Sequence, residues 1–169
     1  MRKIIGIGET VFDIIFRNGQ PQAAKAGGAV LNSVVSMGRV NLPVSFVSEY
    51  GQDDVGSIID NFLVNNGVDT SRVHRFEDGK TTLALAFLDE KSDAHYSFYQ
   101  NYPDERLKVK DFVIAPDDIL LCGSFYAIGT EIRPKFKKLV MSARQNGGMI
   151  IYDPNFRSSH LSELESLKP

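Results

Sequence analysis

"KIIGIGETVFDIIF", Lys3 to Phe16, decides between two folds. Its first six residues read as a buried strand that runs into glycine. Gly6 and Gly8 supply the first two glycines of a G-x-G-x-x-G pattern, but Val11 holds the third position. A dinucleotide site needs a helix next, because the helix N-terminus receives the pyrophosphate. Here "FDIIFR" follows, with the aromatic and β-branched content of a second strand. The stretch therefore argues for a strand that turns directly into another strand.

Further along, buried apolar strands alternate with amphipathic helices. "AVLNSVVSMGRV" reads as a helix with Val30, Val34 and Met37 on one face, and "VSFVSEYG" as a strand. "DDVGSIIDNFLVNNG" reads as a helix with Val55, Ile58, Ile59, Phe62 and Leu63 on one face. Asp53 or Asp54 is placed to cap its start and Gly67 its end. "DILLCGS" and "MIIYDPN" are strands on either side of the helix "RPKFKKLVMSARQNGG", and "SSHLSELESLKP" begins one more helix. This alternation predicts an α/β layer with a parallel sheet. "TTLALAFLDE" and "HYSFYQN", separated by "KSDA", predict a hairpin outside the alternation. With residues 11–25 it forms a small antiparallel excursion beside the main sheet.

Composition limits the function. The 169 residues are 43% hydrophobic with a net charge of −2, enough chain for one core. That balance gives no basic footprint for nucleic acid and no cationic face for membranes. Glu9 and Asp13 break the apolar start, which therefore matches neither a signal peptide nor a membrane span. Cys122 is the single cysteine, which excludes an intrachain disulfide and fits a reducing, cytoplasmic setting.

In open α/β sheets, ligands sit at the carboxyl ends of the strands. Asp13, the Gly27-Gly28-Asn32 helix start and the Asp153-Asn155-Arg157 loop are expected there. Glycines let a ligand approach the backbone, helix-start N–H groups are free donors, and Asn32 adds a donor and an acceptor. Ionised Asp13 accepts two hydroxyl protons. Such a surface suits a neutral, hydroxyl-rich ligand. The same glycine pair is equally read as a plain turn with Asn32 in solvent. "GQDDVG" reads as a helix start rather than a cation site. "DPNFR" reads in part as turn chemistry, although a guanidinium at a strand mouth suits carboxylate or phosphate. His74, His95 and His160 lack metal-ligand spacing, and Ser33, Ser124 and Cys122 lack the signature of an activated nucleophile. Tyr96, Phe98, Tyr99 and Tyr102 read as hairpin packing.

Taken in order, "GET..D" at 8–13, "GG...N" at 27–32, "G.D..G" at 51–56, "NNGVDTSRV" at 65–73, "TTLALAFLD" at 81–89 and "DPNFR" at 153–157 resemble the ribokinase-like carbohydrate kinases, the phosphofructokinase-B type family. The resemblance runs along the whole chain. It implies an αβα sandwich with a small β-sheet lid, the lid strands lying within 11–25 and 80–101. It further implies ATP-dependent phosphorylation of a sugar hydroxyl, with Mg²⁺, and a homodimer through the lid. Residue by residue, Asp13 matches the aspartate that binds sugar hydroxyls. Gly27 and Gly28 match the glycines under the sugar, Asn32 the sugar-binding asparagine, and Arg157 an arginine near the substrate in the fructokinase and ketodeoxygluconate kinase branches. Phe87, Phe98, Tyr99 and Gln100 are further substrate-side candidates on the lid. Many members of those branches carry Phe-Tyr-Arg near the lid's end; Gln100 supplies no cation, which disfavours an acidic sugar. Family chains run close to twice this length, and the second half carries the nucleotide pocket and the Gly-Ala-Gly-Asp loop with the catalytic aspartate. The expectation is therefore an N-terminal, sugar-binding part with no catalytic base of its own, inactive alone. A nucleoside kinase close to the adenosine kinases, and a non-catalytic sugar-binding or dimerisation module, are the alternatives.

Overall fold

The computed structural model describes residues 2–109, 112–124, 126 and 129–155. Its element order is β1 (Ile4–Ile7), β2 (Val11–Arg17), β3 (Gln20–Gly27), α1 (Ala29–Arg39), β4 (Val44–Gly51), α2 (Asp54–Asn65), β5 (Val68–Asp69), β6 (Val73–Phe76), β7 (Lys80–Leu88), β8 (Ala94–Asn101), β9 (Ile119–Gly123), α3 (Arg133–Gln145) and β10 (Met149–Asp153). The helix expected after Arg157 lies outside the described residues.

The main sheet runs β10-β9-β1-β4-β5, with β6 also on β4, and every pairing in it is parallel. Such a sheet needs cover on both faces, and that is why β1 and β4 are apolar without alternation. One core holds Val30, Val34, Phe46, Tyr50, Ile59 and Leu63 beneath α1 and α2. The other holds Ile5, Ile7, Val47, Leu120 and Cys122 beneath α3 and the segment after β8. The short strands β5 and β6, which period alone does not reveal, extend the sheet beyond β4. On α2, Ile59 and Leu63 are buried beside Gly56, and Val55 and Phe62 pack against the same core, as the sequence reading has it, whereas Ile58 is exposed. The reason is Gly56, which presses on the Gly51 carbonyl with no room for a side chain and turns the helix about that contact.

Four strands form a second sheet in the order β3-β2-β7-β8. The expected 80–101 hairpin is present, β7 antiparallel to β8, and β2 lies beside it in parallel while β3 pairs antiparallel with β2. The turn between β2 and β3 uses Asn18 and Gly19, both at positive φ, the signature of a tight hairpin.

Candidate sugar-binding mouth

Because the main-sheet strands are parallel, Ile7, Val47, Cys122 and Tyr152 stand in one row and their carboxyl ends open on one side. The N-terminus of α1 is drawn to that opening by glycine. A Cβ on Gly8 would stand 2.6 Å from the Val30 Cβ, and one on Gly123 would stand 3.3 Å from Val30 Cγ2. Gly28 is the N-cap, at φ 133° and with no side chain to cap the helix. A Cβ there would collide with the Glu9 carbonyl as well as adopt a backbone angle that L-residues avoid. This is why glycine opens the helix: the close approach and the positive φ both require it. The first-turn N–H groups that follow have no helical acceptor. Asn32 is exposed one turn in, its own N–H donating to the Gly28 carbonyl at 3.0 Å.

Asp13 reaches the same place from the second sheet. It lies on β2 opposite Lys25 of β3, and its Oδ2 covers the spot that a Gly27 side chain would fill. Asp13, Gly27 and Gly28 are thus brought together, with Asn32 on the next turn. Burial pushes the Asp13 carboxyl above its ordinary value, and the Lys25 charge opposes this. Strand register sorts the other candidates. Asp13, Ala84 and Phe98 form one row across β2, β7 and β8, so Phe98 shares the face of Asp13, as does Gln100 by alternation. Phe87 pairs with Phe16 and His95, and Tyr99 with Leu83, so both project from the opposite face. Phe16 and Phe87 stack there with ring centroids 5.0 Å apart. The period of two thus puts Phe87 and Tyr99 on the face away from Asp13. Arg157 lies outside the described residues.

Asp153 ends β10 and accepts the Asn155 N–H at 2.9 Å, the turn chemistry expected of it. Asp53 caps α2 through Gly56 N–H at 2.8 Å, as the helix-start reading has it. Burial pushes the Cys122 thiol up to about 11, so it is no thiolate at neutral pH. Two polar groups near the mouth went unread in the sequence. Glu9 accepts the Ser124 hydroxyl at 3.0 Å, and Ser48 donates to the Gly8 carbonyl at 2.7 Å while bonding Thr10 at 2.6 Å. No periodicity marks such pairs, because they join segments about 40 or more positions apart in the chain.

Residues 1–168 match the model of the pfkB family carbohydrate kinases. The chain belongs to the pfkB family of carbohydrate kinases. Among curated pfkB-type relatives, the probable fructokinase-3 of Arabidopsis thaliana is 28% identical over 91% of this chain and 48% of its own length. A crystal structure of fructokinase with bound ATP from Xylella fastidiosa superposes with a TM-score of 0.79 at 27% identity, covering 93% of this chain and 50% of that one. The fructokinase of Vibrio cholerae O395, solved in a form with fructose, ADP and calcium, has a TM-score of 0.81 at 24% identity and shares the fold over 99% of this chain and 55% of that one. The chain thus spans about half the length of the relatives that it matches. Its ribokinase-like αβα architecture with the appended β-sheet is that of these enzymes' matching half.

Proposed function

We propose that this chain forms the acceptor-binding part of an ATP-dependent sugar kinase of fructokinase type. The observation that carries the reading is the Asp13 carboxylate, half-buried over Gly27 at the start of an uncapped helix. A carboxylate beside the first-turn N–H groups of a helix, which have no helical acceptor, matches the acceptors and donors of a polyol. Asp13 accepts two hydroxyl protons, the α1 first turn donates to hydroxyl oxygens, and Asn32 does either. Phe98 and Gln100 stand on the Asp13 face of the second sheet, which closes the site from above as a lid. Among the described residues, no three of His, Cys, Asp and Glu gather into a metal site. These residues hold and orient the acceptor hydroxyl, the part of phosphoryl transfer that depends on positioning. The phosphoryl donor and its Mg²⁺ are assigned to the second half of the family fold.

The exposed aromatics of the lid's edge strand support a homodimer. Tyr96 and Phe98 stack on the Asp13 face and Tyr99 stands on the other, at 49%, 58% and 60% exposure.

Calorimetric titration of the chain with fructose, other hexoses and adenosine tests the reading. Fructose is expected to bind. Asp13→Asn is expected to weaken it about 10- to 150-fold, the loss of a hydrogen bond to a charged group. Equal affinity in the variant, or selective binding of adenosine, would overturn the reading.

A further inference from the structure

Glu49 is 2% exposed, carries a carboxylate and takes no part in the mouth. Its Oε1 accepts Arg106 Nε at 2.7 Å, Arg106 Nη2 at 2.6 Å and the Tyr126 hydroxyl at 3.3 Å. Its Oε2 accepts the Leu107 N–H at 2.5 Å, and His74 Nδ1 stands 3.5 Å away without hydrogen-bond geometry. A carboxylate this deep persists when it is paired and its lone pairs are filled, as here. A well-packed apolar pair would hold two segments together as firmly, but an ion pair with this many fixed partners accepts one arrangement.

What Glu49 holds is the segment leaving the second sheet. Tyr102 follows directly on β8, and the Arg106 guanidinium lies 3.3 Å over its ring. The other edge of Tyr102 meets Phe76, the last residue of β6, at 6.3 Å between centroids. A Cβ on Gly79 would stand 2.5 Å from the Asn101 carbonyl, so the two chain crossings touch at the base of the hairpin. Lys135 Nζ donates to the Arg106 carbonyl at 2.6 Å and ties the same segment to α3.

We propose that Glu49 and Arg106 form a latch that sets where the second sheet stands over the strand mouth, which makes them positioning residues for whatever binds there. The latch stands on its own geometry; its consequence for sugar rests on the function proposed above.

Hydrogen exchange by mass spectrometry on the whole chain tests it. Arg106→Met and Glu49→Gln are expected to speed exchange of amides in 94–109 about 10- to 150-fold and to leave α1 and β1 unchanged. Should either variant fail to fold, Tyr102→Leu keeps the ion pair and removes the stacked ring, with an expected acceleration of about 2- to 5-fold in the same segment. Exchange that rises equally in all core strands, or does not rise in 94–109, overturns the latch. In the second arm, fructose affinity is expected to fall in Arg106→Met together with the faster exchange, and in Asp13→Asn without it. Faster exchange with unchanged affinity removes the positioning role. Faster exchange in a chain whose wild type binds no fructose supports the latch and refutes the sugar reading.

Discussion

Asp53→Ala probes how the second sheet is fastened where it begins. Asp53 Oδ1 accepts the Gly56 N–H and the Thr81 hydroxyl, each at 2.8 Å, and Oδ2 accepts the Thr81 N–H at 2.8 Å. Loss of the N-cap costs about 1 kcal/mol. The Thr81 N–H, left in a part-buried site with no acceptor, adds about 1–2 kcal/mol. The Thr81 hydroxyl loses less, since it keeps the Gly51 N–H as a donor at 3.0 Å. The sum is about 2–3 kcal/mol, or a fall of about 1–1.5 M in the urea midpoint at a slope of roughly 2 kcal/mol/M. Far-UV circular dichroism across a urea series at pH 7 measures it. Titration sets the sign of the pH dependence. Burial pushes the Asp53 carboxyl up, but the Thr81 and Gly56 donors and the Lys80 charge outweigh it and hold it below its ordinary value. A depressed carboxylate stabilises the fold above its unfolded value, near 3.9, and loses that contribution as the pH falls through the lower folded value. The gap between wild type and variant is therefore expected to narrow below about pH 4. A variant within about 0.5 kcal/mol of wild type at pH 7, the range of an ordinary surface change, would refute the fastening. So would a deficit that stays constant through the acid range.

Three other outcomes are expected. Asp13→Asn should raise the melting temperature at pH 7: burial lifts the Asp13 carboxyl, so its stabilising contribution is present at acid pH and is lost as the pH rises through the folded value, and an amide carries no such loss. Differential scanning calorimetry showing a lower melting temperature would count against the buried-carboxylate account. Gly28→Ala should cost about 1–3 kcal/mol through its φ of 133° alone, with further loss from the Glu9 carbonyl; chemical denaturation indistinguishable from wild type would exclude the uncapped turn. Tyr96→Lys combined with Phe98→Lys should convert a dimer to a monomer in light scattering, and a wild-type chain that is monomeric at high concentration would remove the lid interface.

Period and turn chemistry made most of this fold legible in the sequence. The runs "KIIGIG", "VSFVSEYG" and "DILLCGS" are apolar because both faces of a parallel sheet are covered, and their signal survives without any partner in view. Asp53 followed three residues later by a tight glycine is a cap that reads locally. The short β5 and β6 carry no such signal, since two and four residues are too few to show a period. The faces of Phe87 and Tyr99 were hidden for another reason. A one-residue choice of register reverses a strand's faces, and register is set by the neighbouring strands. Glu49 was invisible altogether: "VSEYG" reads as a strand, and only the return of Arg106, 57 residues later, explains a carboxylate within it.

The two aspartates at the second sheet carry the functional argument furthest. Asp13 and Asp53 are the same residue type on the same supporting framework, yet their carboxyls are shifted in opposite directions. Asp53 is met by three donors that the chain itself provides, and its charge is spent on structure. Asp13 is desolvated, with the Lys25 charge, and no hydrogen-bond donor, opposing the upward shift. A carboxylate whose charged form is disfavoured by desolvation gains from a ligand that brings donors to it. Adjacent sugar hydroxyls bring two. On this account sugar binding and proton release are linked at Asp13, so fructose affinity is expected to rise with pH through the raised carboxyl value and then level off. Calorimetric titrations between pH 4 and pH 8 would follow that rise. An affinity independent of pH across this range would mean that Asp13 meets its ligand without changing its protonation, and the contrast with Asp53 would then have no bearing on function.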